Sequence, residues 1–207
     1  MKEKEPTIAL IVPCFNEAAS VAGFVERVSA SCDAANARFV VIAVDDGSTD
    51  NTYQAWTDQV EVQQNLNIRV IRLSRNFGKE IAISCGLHHC DSDATIIMDV
   101  DLQDPPELIP RMIEAWRDGF DSVIAVRSKR ESDSTLKRAS AALFYRLMGR
   151  IADVEIPAQA GDFRLLSKRL VLALNAYPER TRFMKGLFAT LGFEQKLLYY
   201  DRSPRAK

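Results

Sequence analysis

The fold is decided by the first strand–helix pair, Ile8-Ala-Leu-Ile-Val-Pro13 followed by Glu17–Ser31. An uninterrupted apolar run of this length is typical of a strand that is buried on both faces. In the second segment, four apolar side chains recur at the spacing of one helix face: Val21, Phe24, Val25 and Val28. A buried strand joined to an amphipathic helix is the repeating unit of a parallel sheet.

The same alternation continues to about residue 126. Further strands are predicted over Arg38–Val44, Asn67–Leu73, Ala94–Asp99 and Asp121–Val126, and further helices over Asn51–Gln64, Lys79–His89 and Pro105–Asp118. Beyond Arg127 we predict a basic amphipathic helix over Leu136–Ile151, a strand over Gly161–Leu166, a helix over Ser167–Ala176 and a strand over Phe193–Tyr200. The pattern predicts an α/β fold, a Rossmann-like, doubly wound, mainly parallel sheet with helices on both faces.

Composition restricts the class of protein and the kind of metal site. No apolar run approaches the ~20 residues that span a bilayer, and the charged N-terminus lacks the apolar core of a signal peptide. The four cysteines form no Cys-x-x-Cys pair, which favours reduced thiols in the cytosol. The two histidines are adjacent, so a bound metal is expected on carboxylates and is expected to be Mg²⁺ or Mn²⁺.

The net charge of −1 conceals two halves of opposite sign. Residues 1–104 contain 8 Lys and Arg against 16 Asp and Glu, and residues 105–207 contain 19 against 12. The acidic half suits a cation, and the basic half suits phosphate or an anionic membrane surface. Uneven surface charge without a ligand is the alternative interpretation.

Three polar clusters follow predicted strands: 13–17, 45–52 and 99–107. Ligands of open parallel sheets bind outside the carboxyl ends of the strands, so these clusters are expected to meet in one crevice. Asp99 and Asp101 lie two apart at a strand end and would face one side, where a divalent cation could bridge them to a diphosphate. A solvated turn is the alternative for an isolated Asp-x-Asp.

The other polar residues have both structural and functional interpretations. Asp45-Asp46-Gly47 is either a tight turn or a source of carboxylates for a nucleotide. Glu17 is either a first-turn helix acid or a ribose or base contact, and Lys79 is either a surface lysine or a phosphate ligand. The chain has neither a P-loop nor a Gly-x-Gly-x-x-Gly turn after the first strand, which argues against P-loop and NAD-type enzymes.

The chain resembles the family 2 glycosyltransferases of the GT-A fold. Within them it is similar to the polyprenol-phosphate subgroup, of the dolichyl-phosphate mannose synthase and bactoprenol glucosyltransferase type. Seven stretches carry the resemblance: Ile11-Val-Pro-Cys-Phe-Asn-Glu17, Val44-Asp-Asp-Gly-Ser-Thr-Asp50, Ser74-Arg-Asn-Phe-Gly-Lys79, Met98-Asp-Val-Asp-Leu-Gln-Asp-Pro-Pro-Glu107, Ala160-Gly-Asp-Phe-Arg-Leu-Leu166, Glu179-Arg-Thr-Arg-Phe-Met-Lys-Gly186 and Tyr200-Asp-Arg-Ser-Pro-Arg205.

The resemblance implies a role for each matching residue. Metal and donor diphosphate would be held by Asp99, Asp101 and Gln103. The nucleotide sugar would contact Pro13, Phe15, Glu17, Asp45, Asp46 and Lys79. Acceptor or leaving-group phosphate would be bound by Arg127, Arg202 and Arg205. Asp162 lies where the family has its candidate base, and catalysis is expected to involve Asp162, Asp101 and Arg127. Cys14 and Val100 depart from the usual motifs, with little expected effect.

The implied activity is inverting, metal-dependent transfer of a hexose from a nucleotide diphosphate sugar, with UDP favoured, to a polyprenyl phosphate. We expect one domain over 1–207, with a nucleotide-sugar half over 1–127 and an acceptor half over 128–207. It is expected to act at the cytoplasmic face of a bacterial inner membrane, with membrane segments possible after 207. A homo-oligomer is possible, and no nucleic acid is expected. The alternatives are a soluble or polysaccharide acceptor, a nucleotidyltransferase, or a non-catalytic nucleotide-sugar-binding subunit.

Overall fold

The computed structural model describes residues 5–62, 66–128, 160–177 and 191–200. Across these ranges the strands are β1 Thr7–Cys14, β2 Arg38–Asp45, β3 Asn67–Arg72, β4 Ala94–Ile97, β5 Ser122–Arg127, β6 Ala160–Ser167 and β7 Gln195–Tyr200. They form a seven-stranded sheet in the order β3-β2-β1-β4-β6-β5-β7. Among these described strands, only β6 runs antiparallel to its neighbours, β4 and β5. The predicted mainly parallel sheet is therefore confirmed, and it contains strands from both halves of the chain.

The α-helices in the described ranges cover both faces of this sheet. They are α1 Val21–Asp33, α2 Thr52–Val62, α3 Lys79–His88, α4 Ile109–Arg117 and α5 Lys168–Ala176. One buried cluster joins the sheet to α1, α2 and α4 through Phe24, Trp56 and Met112. A second cluster joins the other face to α3 and α5 through Leu87 and Leu174. The packing confirms the doubly wound arrangement.

The predicted boundaries differ from the observed ones mainly at helix starts. The first helix and the fourth each begin with a short 3₁₀ turn, Ala18–Ser20 and Pro106–Leu108. Pro105 is extended because the following proline disfavours helical backbone at its position. Strand β4 ends at Ile97, so Asp99 lies outside the ladder. The predicted helix Leu136–Ile151 lies outside the described residues.

None of the helices in the described part of the chain combines the length and the apolar character that crossing a bilayer requires.

Candidate functional site

A cleft of about 340 Å³ lies at the carboxyl ends of β1, β2 and β4. Seven of the predicted site residues line it: Pro13, Phe15, Glu17, Asp46, Lys79, Asp99 and Asp101. A larger concavity of about 580 Å³ lies at the opposite end of the sheet, around Thr7, Arg38 and Asn67. Because parallel sheets bind ligands at the carboxyl ends of their strands, the smaller cleft is the candidate site.

The antiparallel strand β6 brings Asp162 beside Asp99. Ile97 at the end of β4 pairs with Arg164 of β6, so residues that follow Ile97 lie next to residues that precede Arg164. The Lys79 ammonium lies between the two carboxylates, 2.6 Å from an oxygen of Asp99 and 2.6 Å from Oδ2 of Asp162. Sequence spacing does not predict that Asp99 and Asp162 contact the same lysine, because the two aspartates are far apart in the chain.

The charges in this group shift the pKa values of Asp99 and Lys79. Burial raises the pKa of Asp99, the carboxylates of Asp162 and Asp101 raise it further, and Lys79 only partly offsets this. Burial lowers the pKa of Lys79, but Asp99 and Asp162 outweigh burial and the net shift is upward. Lys79 therefore stays charged, and its ammonium is a cation held by the carboxylates of the cleft.

The loop after β4 carries the residues that would hold a metal ion. Asp99 and Asp101 both line the cleft and offer the hard oxygen ligands that Mg²⁺ and Mn²⁺ prefer. The Asp101 carboxylate accepts a hydrogen bond from the Gln103 amide at 3.1 Å, but the Gln103 side chain does not line the cleft. Among the described residues no group of three Asp, Glu, His or Cys side chains could hold a metal ion. Asp99 and Asp101 could therefore hold a metal ion only if it took its remaining ligands from a bound substrate or from water.

This loop contains a strained residue, Leu102, with φ of 53°. A left-handed backbone at a residue other than glycine costs about 1–3 kcal/mol and persists where the surroundings fix it. Val100 and Leu102 pack on the core, which anchors the loop from below. Val100 is 3% exposed and lies between Asp99 and Asp101 in the lining of the cleft.

The two aspartates at the carboxyl end of β2 have different surroundings. Asp46 accepts hydrogen bonds from the amides of Phe77 and Gly78, both at 2.8 Å. Asp46 thereby holds the loop that leads into α3 and Lys79. Asp45 is fully buried and does not line the cleft: Oδ1 accepts from the Ser48 amide, and Oδ2 lies 3.4 Å from Nε of Arg72. Direct nucleotide contact by either residue stays a prediction.

The loop after β1 is tied to the loop after β2. Asn16, with φ of 55°, accepts hydrogen bonds from the amides of Thr49 and Asp50, and its own amide donates to Ser48. Phe15 is 40% exposed at the cleft, where a base could stack on it. Burial, with a smaller contribution from Asp45, raises the pKa of Cys14 to about 12, so this cleft residue stays a neutral thiol.

Arg127 lies at the end of β5 and contacts two residues to which the sequence assigned no role. Its Nη2 donates to Asp104 at 2.8 Å, and its Nε donates to the Tyr200 hydroxyl at 3.1 Å. Asp104 lies in the same motif as Asp99 and Asp101, and this is the sequence feature that could have marked it as a site residue. The other predicted phosphate ligands, Arg202 and Arg205, lie outside the described residues.

Gly47 allows the loop after β2 to lie against the loop that precedes α3. Its φ is +68°, and an added Cβ would lie 2.8 Å from the Arg75 carbonyl oxygen and closer still to the carbonyl carbon. A left-handed alanine costs about 1–2 kcal/mol before the clash is counted. For a chain of 207 residues, 1 kcal/mol shifts Tm by about 2–4 °C, so we expect Gly47→Ala to lower Tm by at least about 2–8 °C. We also expect it to weaken nucleotide binding, as measured by thermal unfolding with and without UDP and Mn²⁺.

The matched control is Gly23→Ala in α1, where no heavy atom lies within 4 Å of the added Cβ. Alanine is the better helix former, so this variant should not melt lower than the wild type. Equal Tm values for the two alanine variants would contradict the close approach of Gly47 to Arg75.

Comparison with known proteins agrees with this geometry. Residues 9–174 match the family model described as glycosyl transferase family 2. An uncharacterized glycosyltransferase of Synechocystis sp. is 40% identical over 96% of this chain and 62% of its own length. The bactoprenol glucosyl transferase of Shigella phage SfX is 39% identical over 96% of this chain and 64% of its own length. The chain thus spans about three-fifths of the length of these relatives.

Solved structures support the fold at lower sequence identity. A mannosyltransferase from Pyrobaculum calidifontis, in complex with GDP-Man and Mn²⁺, superimposes with a TM-score of 0.67 at 18% identity over 98% of this chain and 59% of that one. Glucosyl-3-phosphoglycerate synthase from Mycobacterium tuberculosis gives a TM-score of 0.60 at 19% identity over 98% of this chain and 73% of that one. The sheet, the cleft and the matched sequence together show that this chain belongs to glycosyl transferase family 2.

Proposed function

We propose that this chain transfers a hexose from a nucleoside diphosphate sugar to a polyprenyl phosphate. The observation that carries the proposal is the cluster of Lys79, Asp99 and Asp162 at the carboxyl end of the sheet. It joins a cation and two acids at the point where a diphosphate leaving group and an incoming acceptor would meet. The bactoprenol glucosyl transferases, which match over 96% of the chain, support a polyprenyl phosphate as the acceptor.

Each side of the cleft supplies a different part of the reaction. Phe15 and Glu17 offer a stacking surface and an acceptor for the base or ribose. Asp99 and Asp101 would hold Mg²⁺ or Mn²⁺, which when bound would neutralise charge on the departing diphosphate. Lys79 is positioned to donate hydrogen bonds to the same diphosphate.

The transfer itself is a single displacement. An oxygen of the acceptor phosphate forms a bond to the anomeric carbon while the bond from that carbon to the nucleotide diphosphate breaks, and the electron pair leaves with the diphosphate. Attack opposite the leaving group inverts the anomeric centre. A phosphomonoester has its second pKa near ~6, so it is already a strong oxygen nucleophile at neutral pH.

The acceptor determines where the reaction would take place. A polyprenyl chain is held in a bilayer, so the proposed site of action is the cytoplasmic face of a bacterial inner membrane. UDP is the proposed nucleotide because the curated relatives include several bactoprenol glucosyl transferases.

Thermal unfolding with nucleotides tests the donor half of the proposal. At about 100 times its Kd, a ligand stabilises the folded state by roughly 2.7 kcal/mol. We expect UDP with Mn²⁺ to raise Tm, GDP and CDP to raise it less, and UDP without metal to have little effect. No shift with any nucleotide in the presence of Mn²⁺ would contradict a donor site in this cleft.

Transfer of radiolabelled sugar tests the acceptor half. Undecaprenyl phosphate in detergent is compared with phosphoglyceric acid, which is present in the structure of the glucosyl-3-phosphoglycerate synthase. Label that partitions into the organic phase only with undecaprenyl phosphate supports the proposal. Label on phosphoglyceric acid alone would favour a soluble acceptor.

A further inference from the structure

Asp104, Arg127 and Tyr200 form a closed hydrogen-bonded group, here called the Asp104 cluster. Oδ1 of Asp104 accepts from Nη2 of Arg127 at 2.8 Å, from Nε of Arg127 at 3.2 Å, and from the Tyr200 hydroxyl. The Tyr200 oxygen also accepts from Nε of Arg127 at 3.1 Å. The three residues come from the loop after β4, the end of β5 and the end of β7, so the cluster fixes these elements relative to one another.

Burial differs sharply within the Asp104 cluster. Asp104 is 5% exposed and Tyr200 is 7% exposed, whereas the Arg127 side chain is 38% exposed. A buried carboxylate is costly unless donors satisfy it, and here both donors converge on one oxygen. The cluster therefore consists of two buried residues, Asp104 and Tyr200, and one guanidinium, that of Arg127, which reaches the surface.

The protonation states keep this hydrogen-bond pattern intact. Burial, followed by the hydrogen bond to Asp104, raises the pKa of Tyr200 to about 12, so the phenol remains a donor. Burial lowers the pKa of Arg127, but Tyr200 and Asp104 outweigh it and the net shift is upward. The guanidinium is thus both charged and fixed in direction.

We propose that Asp104 and Tyr200 are positioning residues that hold the Arg127 guanidinium in the orientation that receives the acceptor phosphate. This inference rests on the proposed function and on the role of phosphate ligand that the family resemblance implies for Arg127. Within the described residues the hydrogen bonds of Arg127 use Nε and Nη2, and its Nη1 edge is the one available to a ligand. Oriented guanidinium edges bind phosphate more specifically than a freely rotating cation does.

Charge and orientation predict opposite effects for one substitution. If Arg127 contributed only positive charge, Asp104→Asn would strengthen acceptor binding, because it removes a negative charge close to the guanidinium. If orientation matters, the same variant weakens acceptor binding, since the amide cannot match the charged carboxylate as a partner for two donors. The sign of the change in acceptor KM therefore distinguishes the two roles.

Tyr200→Phe provides the test without any change of charge. It removes only the hydroxyl and keeps the buried ring. We expect the KM for undecaprenyl phosphate to rise about tenfold, the scale of one lost hydrogen bond to a charged group. The KM for the donor sugar and the Kd for UDP with Mn²⁺ should stay within about twofold of the wild type, because the cluster does not line the donor cleft.

The matched control is Tyr199→Phe, since Tyr199 is the next residue back along β7 and is 60% exposed. It should leave both KM values unchanged. If neither Tyr200→Phe nor Asp104→Asn raises the acceptor KM while the wild type transfers to undecaprenyl phosphate, the positioning role is wrong. If the wild type binds UDP but transfers nothing to undecaprenyl phosphate, the proposed function fails, and this inference fails with it.

Discussion

Asp99→Asn is expected to lower kcat/KM for sugar transfer by at least about 1,000-fold. The carboxylate is the group in the cleft that contacts Lys79 and also faces the predicted metal position beside Asp101. Stabilisation of charge on a leaving group by a metal is worth several kcal/mol, and about 4 kcal/mol corresponds to that loss in rate. The measurement is steady-state transfer over a range of Mn²⁺ concentrations, with loss of the UDP-dependent rise in Tm as a second readout.

The same substitution should not reduce the stability of the unliganded protein. The pKa of Asp99 is raised by burial and by Asp162 and Asp101, so its negative charge is less favourable in the folded chain than in the unfolded one. For a carboxyl group, a raised folded pKa means that ionisation lowers the free energy of unfolding at neutral pH. Neutral asparagine removes that cost, and Asp99→Asn should melt at or above the wild-type temperature.

Asp91→Asn is the matched control for the loss of one carboxylate. Asp91 is 93% exposed and pairs with Lys168 away from the cleft. Lys168 lowers the pKa of Asp91, so ionisation of Asp91 stabilises the folded state, the opposite of its effect at Asp99. Asp91→Asn should therefore be slightly less stable than the wild type while transferring sugar at the normal rate. A normal rate in Asp99→Asn, or loss of activity in both variants, would contradict a metal-binding role for Asp99.

The sequence predicted the elements that end at the cleft because apolar runs and polar clusters alternate so regularly. Each buried strand ends where its apolar run ends, and parallel strands bring those ends together. Pro13, Asp46 and Asp99 line one cleft for this reason. The antiparallel insertion of β6 has no such signal, so nothing in the spacing of residues indicated that Asp162 lies beside Lys79.

The burial of individual side chains was harder to predict from the sequence than the residue at which each strand ends. Asp45 and Asp46 are adjacent and chemically identical, but Asp45 is enclosed and Asp46 lines the cleft. The Asp104 cluster depends on a contact between residues 96 positions apart. Sequence patterns report which face of an element is apolar, whereas these contacts depend on how the ends of three elements meet.

Asp162→Asn is expected to lower kcat at neutral pH by about 100-fold, within the range for loss of a group near the reacting atoms. Two roles could produce this loss. Asp162 could remove a proton from the acceptor, or it could hold Lys79 beside the leaving diphosphate through the 2.6 Å contact. With a second phosphate pKa near ~6, about nine-tenths of a phosphomonoester is already dianionic at pH ~7, so there is little proton to remove. We therefore expect the positioning role to dominate.

A pH profile and a double-mutant cycle separate the two roles. If Asp162 acts as a base, hydroxide should replace it, and Asp162→Asn should approach the wild-type rate at pH ~8. If it positions Lys79, the deficit should persist across that range, because the lysine is charged throughout. Lys79→Met should then cost little more in the Asp162→Asn background than Asp162→Asn costs alone, since residues that act as one unit give non-additive effects. Additive losses together with recovery at high pH would identify Asp162 as a base that works independently of Lys79.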